Sequence, residues 1–368
     1  MTAASFRIPD GGPYLATHSV GCVTTAALDA LQTRFIEPWG QRGAGAWEHW
    51  LAAIDEFRIS LSLLLGGKPA DYCPQLNLSA ALSALLGSLA APAENRNVWI
   101  AAEDSFPSMG FVLGQAQALG YRLRLIPRAH SPARLQTWTD AITPDVCGVL
   151  VTHVFSNTGV VAPAADIARH ARALSVCSVV DVAQSAGVLP LSVETLDADI
   201  VIGSCVKWLC GGPGAGFLWA REEFARRLTP TDIGWFMHER PFEMDIHSFR
   251  FAKGAQRFWG GTPSVAPYVM AAASVRLLAG IGIPAIFTHT RGLQRAFHES
   301  LPRHWRSRLA LDCLGGTLCI PCGESLEAVK RGLNDRGAHY DFRGEVVRLS
   351  FHLVNTIEQA RSIAGVFP

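Results

Sequence analysis

Between about residue 70 and residue 255 the chain repeats one pattern: a short run rich in β-branched residues, then a stretch rich in Ala and Leu. The runs 98–101, 122–126, 148–153, 178–182, 199–202 and 216–219 recur at intervals of roughly two dozen residues, room for one crossover helix each. The stretches 111–119 and 164–174 are predicted as two of those helices. Strands joined by helical crossovers lie parallel and are covered on both faces, so the pattern predicts an α/β fold with a doubly wound, mostly parallel sheet. Ligands of such sheets gather beyond the carboxyl ends of the strands, where His153, Asp181 and Lys207 all fall.

Past Pro263 the texture changes. A helix is predicted over 265–279, a Gly/Pro break over 280–284, then a second helix. Runs 311–320 and 346–351 read as strands around a helix over 325–336, a small α+β lobe. The expected organisation is a segment 1–45 packing on the small lobe or a partner subunit, a large cofactor-binding domain 46–262 and a small domain 263–368. With 368 residues and 49% hydrophobic content the chain can hold one large core and a smaller one.

The bulk numbers narrow the function. A formal net charge of +1 gives no global field for nucleic acid or anionic lipid. The start of the chain lacks the basic residues and continuous apolar stretch of a secretory signal, and the longest apolar region, 78–93, carries three serines and is too short to span a bilayer. A cytoplasmic protein is expected. Nine scattered cysteines fit reduced, buried thiols better than a disulfide framework. Cys319 and Cys322 alone have redox-like spacing, without a second pair or a histidine pair to hold zinc, so no metal is expected. The glycines from Gly211 to Gly216 miss the dinucleotide register.

Lys207 is one of four lysines against 28 arginines. It follows the apolar run Asp199-Ile-Val-Ile-Gly-Ser-Cys-Val206 and opens into a glycine-rich turn. An amine that attacks a carbonyl must be neutral, and a strand end offers partial desolvation. The strand Cys177-Ser-Val-Val-Asp181 ends on a carboxylate 26 residues upstream. A strand-end amine and a strand-end acid are what pyridoxal 5'-phosphate requires, one for its aldehyde and one for its ring nitrogen.

Further segments occur in a recognisable order. They are Tyr14-Leu-Ala-Thr-His-Ser-Val-Gly21, Ser105-Phe-Pro107, Thr152-His-Val154 with Thr158-Gly159, and Asp181-Val-Ala-Gln-Ser-Ala-Gly187. Lys207-Trp-Leu-Cys-Gly-Gly-Pro-Gly214, Gly234-Trp-Phe-Met-His238, Gly261-Thr262 and Asp341-Phe-Arg-Gly-Glu-Val-Val-Arg348 follow. With these motifs the chain resembles the fold-type-I pyridoxal-phosphate enzymes of the class V aminotransferase group, and within it most resembles kynureninase.

The resemblance implies a role for each matching residue. Lys207 would bind the cofactor and move protons at Cα, Asp181 would keep the ring nitrogen protonated, and Phe106 would stack on the ring. Gln75, Asn77 and Ser204 would hold the phosphate, with Thr262 reaching it from the other subunit of a homodimer that shares its active sites. Asn157 would touch the phenolate oxygen, and Gln184 and Trp235 also fall at cofactor positions. Arg348 would grip the carboxylate of a small amino-acid substrate as a bidentate fork, and Trp47, Trp235 and His238 would shape the side-chain pocket.

Three positions depart from the family: Val206 stands where a tyrosine precedes the lysine, Ser108-Met109 where an acid follows the Phe-Pro pair, and Gln184 where a histidine is usual. The activity implied is kynureninase-like hydrolytic Cβ–Cγ cleavage of an aryl-ketone amino acid. Transamination, β-elimination by a C–S lyase or epimerisation is the alternative that Val206 motivates. A non-catalytic cofactor-binding regulator is the remote one, since mere binding needs no substrate clamp.

Overall fold

The computed structural model describes residues 3–368. Its large domain is built on a seven-stranded sheet in the order β1-β7-β6-β5-β4-β2-β3. The strands are β1 Tyr72–Gln75, β2 Val98–Ala102, β3 Arg122–Ile126, β4 Val146–Thr152, β5 Cys177–Asp181, β6 Ile200–Ser204 and β7 Gly216–Ala220. From β3 to β6 every neighbouring pair is parallel, while β7 runs antiparallel to β6 and to β1. Each parallel step is bridged by a helix, including Pro107–Gln115, Leu135–Ala141 and Ala164–Ala173. Alternation along the strands feeds two cores: Val149, Val151, Val180 and Val201 point to one face, and Leu150, Val179 and Ile202 to the other. All seven are fully buried, each contributing about 1.5–3 kcal/mol over exposure.

The small C-terminal α+β domain carries the antiparallel sheet β8-β10-β9, with β8 Thr317–Pro321, β9 Asp341–Arg343 and β10 Val346–Ser350. Helices Ile283–Ser300, Leu326–Asp335 and Ile357–Ala364 close its own core around Phe297, Leu349 and Phe351. Helix Ala266–Ile281 belongs to the large domain's core and packs on helix Ala46–Leu65. The run 311–320 is a strand only from Thr317, because Leu311–Cys313 makes a 3-10 turn and Leu314 bridges to Val160. The apolar region 78–93 is helical only over Leu78–Leu86. Among the described residues no single helix is long and apolar enough to cross a membrane.

Two segments tie the domains together at the carboxyl ends of the strands. The loop after β4 turns at Gly159, φ +74°, where a side chain would strike the Thr317 carbonyl of β8. The N-terminal segment lies between the small sheet and the turn after β6. Ser350 donates its N–H to the Leu15 carbonyl at 2.8 Å, and Gly21 donates to the Val206 carbonyl at 2.8 Å. Gly21 approaches the Lys207 carbonyl so closely that no Cβ would fit.

Candidate active site

The chain leaves β5 at Asp181, which is 4% exposed, and its Oδ1 accepts the Ala183 N–H at 2.8 Å. Burial pushes this carboxyl above its ordinary value, while the Ala183 N–H and the Lys207 charge work against the shift. Lys207 stands three residues past the end of β6, in a turn pinned by its neighbour Trp208. The Trp208 indole is fully buried and donates from Nε1 to Gln184 Oε1 at 3.0 Å. Burial lowers the Lys207 ammonium below its ordinary value; Asp181 opposes this, and Arg343 and Arg348 add to it. The lysine is thereby made easier to deprotonate, as a nucleophilic amine requires.

Lys207 and Asp181 line one cavity of about 450 Å³, together with Phe106, Asn77, Ser204 and Thr152. The Phe106 ring centroid lies 5.6 Å from Lys207 Nζ. Asn77 caps helix Leu78–Leu86, its Oδ1 accepting the Ala80 N–H at 2.9 Å. The first N–H groups of a helix lack partners inside it, so the residues after the cap turn a positive end toward this cavity.

Arg348 lies on β10, 4% exposed, directly opposite Asp341 of β9 in the hairpin register. Nε donates to Asp341 Oδ1 at 2.7 Å, Nη2 donates to Oδ2, and Nη1 donates to the Ser156 carbonyl at 2.9 Å. Behind this pair, His18 is 1% exposed, with Nε2 3.0 Å from Asp341 Oδ1 and Nδ1 3.0 Å from Ser350 Oγ. Burial works to raise the Asp341 carboxyl, but hydrogen bonds from His18 and Arg348 prevail and hold it at about 2. Burial also dominates at His18, whose pKa is lowered in spite of Asp341.

Of the residues expected at the site, Lys207, Asp181, Phe106, Asn77, Ser204 and Gln184 share the cavity. Gln184 spends both ends on structure, donating to the His18 carbonyl at 3.0 Å and accepting from Trp208. Gln75 turns away and donates to the Phe258 carbonyl at 2.9 Å; with Thr262 it lines a separate cavity of about 420 Å³. Thr262 is exposed and accepts the Trp235 indole N–H at 3.1 Å. Trp47 packs edge-on against Trp235 at 6.5 Å, and His238 bonds the Ser248 carbonyl at 2.7 Å in the same outlying cluster. Asn157 donates to Asp104 Oδ1 at 3.0 Å and lines a groove next door.

Sequence reasoning did not single out His18, Ser156, Asp341 or Arg343. Two of them stand inside the segment that ends on Arg348, but the register that opposes Asp341 to Arg348 exists only in the folded hairpin.

The cavity suits a flat, phosphorylated pyridine aldehyde. One Asp181 oxygen accepts no hydrogen bond from the described residues, so a buried carboxylate awaits a cationic partner such as a ring nitrogen. Phe106 offers a face, Lys207 an amine, and the capped helix end with Ser204 a place for a phosphate.

The family model for aminotransferase class-V matches residues 80–362. By sequence the chain is 28% identical over 304 residues to a kynureninase of Pseudomonas fluorescens, covering 80% of this chain and 71% of that protein. A kynureninase of Burkholderia pseudomallei, strain 1106a, is 28% identical over 305 residues, covering 79% and 71%. By structure the chain is similar to a variant of C-DES with glycine covalently linked to its PLP cofactor, with TM-score 0.87, 20% identity and coverage of 99% and 98%. It is also similar to the apo structure of a cysteine desulfurase from Thermococcus onnurineus NA1, with TM-score 0.82, 21% identity and coverage of 96% and 93%. The chain belongs to the class-V aminotransferase family, and is a fold-type-I enzyme that depends on pyridoxal phosphate and acts on an amino acid.

Proposed function

We propose that this enzyme acts by β-elimination, as a C–S lyase, rather than by hydrolysis at a side-chain ketone. One observation carries the reading: among the residues lining the Lys207 cavity, only Asp181 and Lys207 are ionisable. Hydrolytic Cβ–Cγ cleavage requires a further group to manage protons beside the γ-carbonyl, and at the position before the lysine Val206 offers none. Elimination needs one base. Lys207 takes the Cα proton and, as an ammonium, returns it to the departing sulfur while Cβ–S breaks. Water then converts the remaining three carbons to pyruvate and ammonium. The bound cofactor supplies the electron sink at Cα, with Asp181 keeping its ring nitrogen protonated.

The cavity has a single aromatic wall, Phe106, where an aryl ketone would call for several. The fold likeness to C-DES, described as a cystine C–S lyase, is in keeping with elimination, whereas the kynureninase relatives keep hydrolysis as the runner-up. Arg348 retains two N–H groups beyond those it already uses, enough to donate to the substrate's α-carboxylate. We read the enzyme as a homodimer, because the stretch that leads to Thr262 leaves the large apolar side chains Ile233, Met244 and Ile246 exposed, as suits cover by a second copy. Nine free cysteines, most of them buried, fit a reducing compartment such as the cytoplasm.

Product analysis tests the reading. With S-alkyl cysteines the expected products are pyruvate, ammonium and the thiol in equal amounts. Alanine plus an aromatic acid from kynurenine, with no pyruvate from any cysteine thioether, would establish hydrolysis instead.

A further inference from the structure

We propose that Arg343 binds a second, anionic group on the substrate, so that the enzyme selects amino acids whose side chain ends in an oxyanion. The proposal rests on Lys207 marking the substrate site, not on which bond breaks there.

Arg343 ends β9, exposed, two residues beyond Asp341. Its Cζ lies 5.8 Å from the centroid of the Phe106 ring, the same ring that lies 5.6 Å from Lys207 Nζ. Nη1 donates to Ser156 Oγ at 3.0 Å, and Ser156 lines the Lys207 cavity. Ser156 also lines an adjoining groove of about 490 Å³, whose wall includes Arg343. Arg343 therefore stands at the junction of the two spaces, where the far end of a substrate side chain would emerge.

The two arginines differ in what they already hold. Arg348 is doubly bonded to Asp341 and bonded again to a carbonyl. Arg343 has a single hydroxyl partner, and among the described residues no carboxylate lies within ion-pair distance of it. Asp341, the nearby acid, is engaged by Arg348 and His18. The acids of the adjoining groove are engaged as well. Asp104 pairs with Arg128 at 2.7 Å and accepts from Asn157, and Glu103 accepts the Arg128 backbone N–H at 3.1 Å. Burial and the Arg348 charge accordingly depress the Arg343 guanidinium below its ordinary value. A planar fork with four unengaged N–H groups beside a reactive amine is suited to a carboxylate or a sulfur oxyanion, which it can bind through two parallel hydrogen bonds. The alternative role, propping the Phe106 ring by a cation–π contact, would treat charged and neutral substrates alike.

The experiment uses the holoenzyme and two ligands of equal size, S-(carboxymethyl)-L-cysteine and its amide, S-(carbamoylmethyl)-L-cysteine. Binding is read from the change in cofactor absorbance under conditions where turnover is negligible. The wild type should bind the acid at least about tenfold more tightly than the amide, and Arg343→Gln should erase that preference while leaving the amide's affinity within about twofold. Arg343→Lys should restore part of it. Unchanged melting temperatures certify that the variants are folded. Equal affinity for both ligands in the wild type, or equal loss of both in Arg343→Gln, overturns the proposal. If alanine perturbs the spectrum but neither thioether does, the junction does not admit such side chains and the proposal also fails. If no amino acid perturbs it, the reading of the Lys207 site fails, and the proposal falls with it.

Discussion

The lysine end and the arginine end of the site are opposite in kind. Around Lys207 the protein leaves groups unanswered: one Asp181 oxygen has no donor among the described residues, and burial discourages charge on the acid and the amine alike. Around Arg348 the protein answers nearly everything itself, with Asp341 serving as an internal carboxylate and His18 and Ser350 behind it. A site of the first kind is completed by a guest, whereas one of the second kind is already stable and admits a ligand at its spare positions. Stability measured without cofactor should therefore respond in opposite directions to removing an acid from each end.

The largest expected effect is catalytic. Lys207→Ala should lower turnover by roughly 10³-fold or more and abolish the protein-bound cofactor chromophore, with little change in melting temperature. Turnover near the wild-type rate would remove the lysine end from the chemistry. Next comes Asp341→Asn, which leaves the buried Arg348 cation without its partner and should destabilise the protein by about 3 kcal/mol in denaturant titrations. An unchanged midpoint would mean that Arg348 finds another acid.

Acid should weaken the lysine end in particular, because burial depresses His153, just past β4, to about 4 and His352, packed on the Trp208 ring, to about 3. The unfolded chain, with histidines near 6.5, binds protons first as the pH falls. Stability is full above about 6.5, declines below it, and the loss continues down to those folded values. Between pH 6.5 and 5.5 the two together should cost about 2 kcal/mol, readable from melts across the range. His153→Gln should remove about half of that slope. Smallest is Asp181→Asn in the cofactor-free protein, which should raise stability by about 1 kcal/mol since an unpaired buried charge is lost. A fall instead would show that Asp181 already has a partner of its own.

Much of the lysine end was legible because its signals are local. The β-branched runs mark β2 to β7 to within about two residues, and Asp181 and Lys207 reveal themselves by where they stand relative to a strand end. β1, Tyr72–Gln75, escaped notice because it is short and contains a proline, and β9 because Asp341-Phe-Arg343 lacks apolar alternation. The arginine end was half legible. Arg348 followed from its motif, but the pairing of His18 with Asp341 spans 323 residues, and no periodicity encodes a contact that only the finished packing creates. The outlying positions of Gln75 and of Trp235 with Thr262 have the same origin, since a motif gives an order of residues and not the cavity each one faces.

The N-terminal segment that carries His18 onto Ser350 joins residues 332 positions apart. At usual rates of translation, roughly 5–20 residues per second, His18 leaves the ribosome some tens of seconds before its partner exists. The sheet that carries Lys207 can form in that interval. The arginine end cannot, so the growing chain acquires its means of holding a cofactor before its means of choosing what that cofactor acts upon.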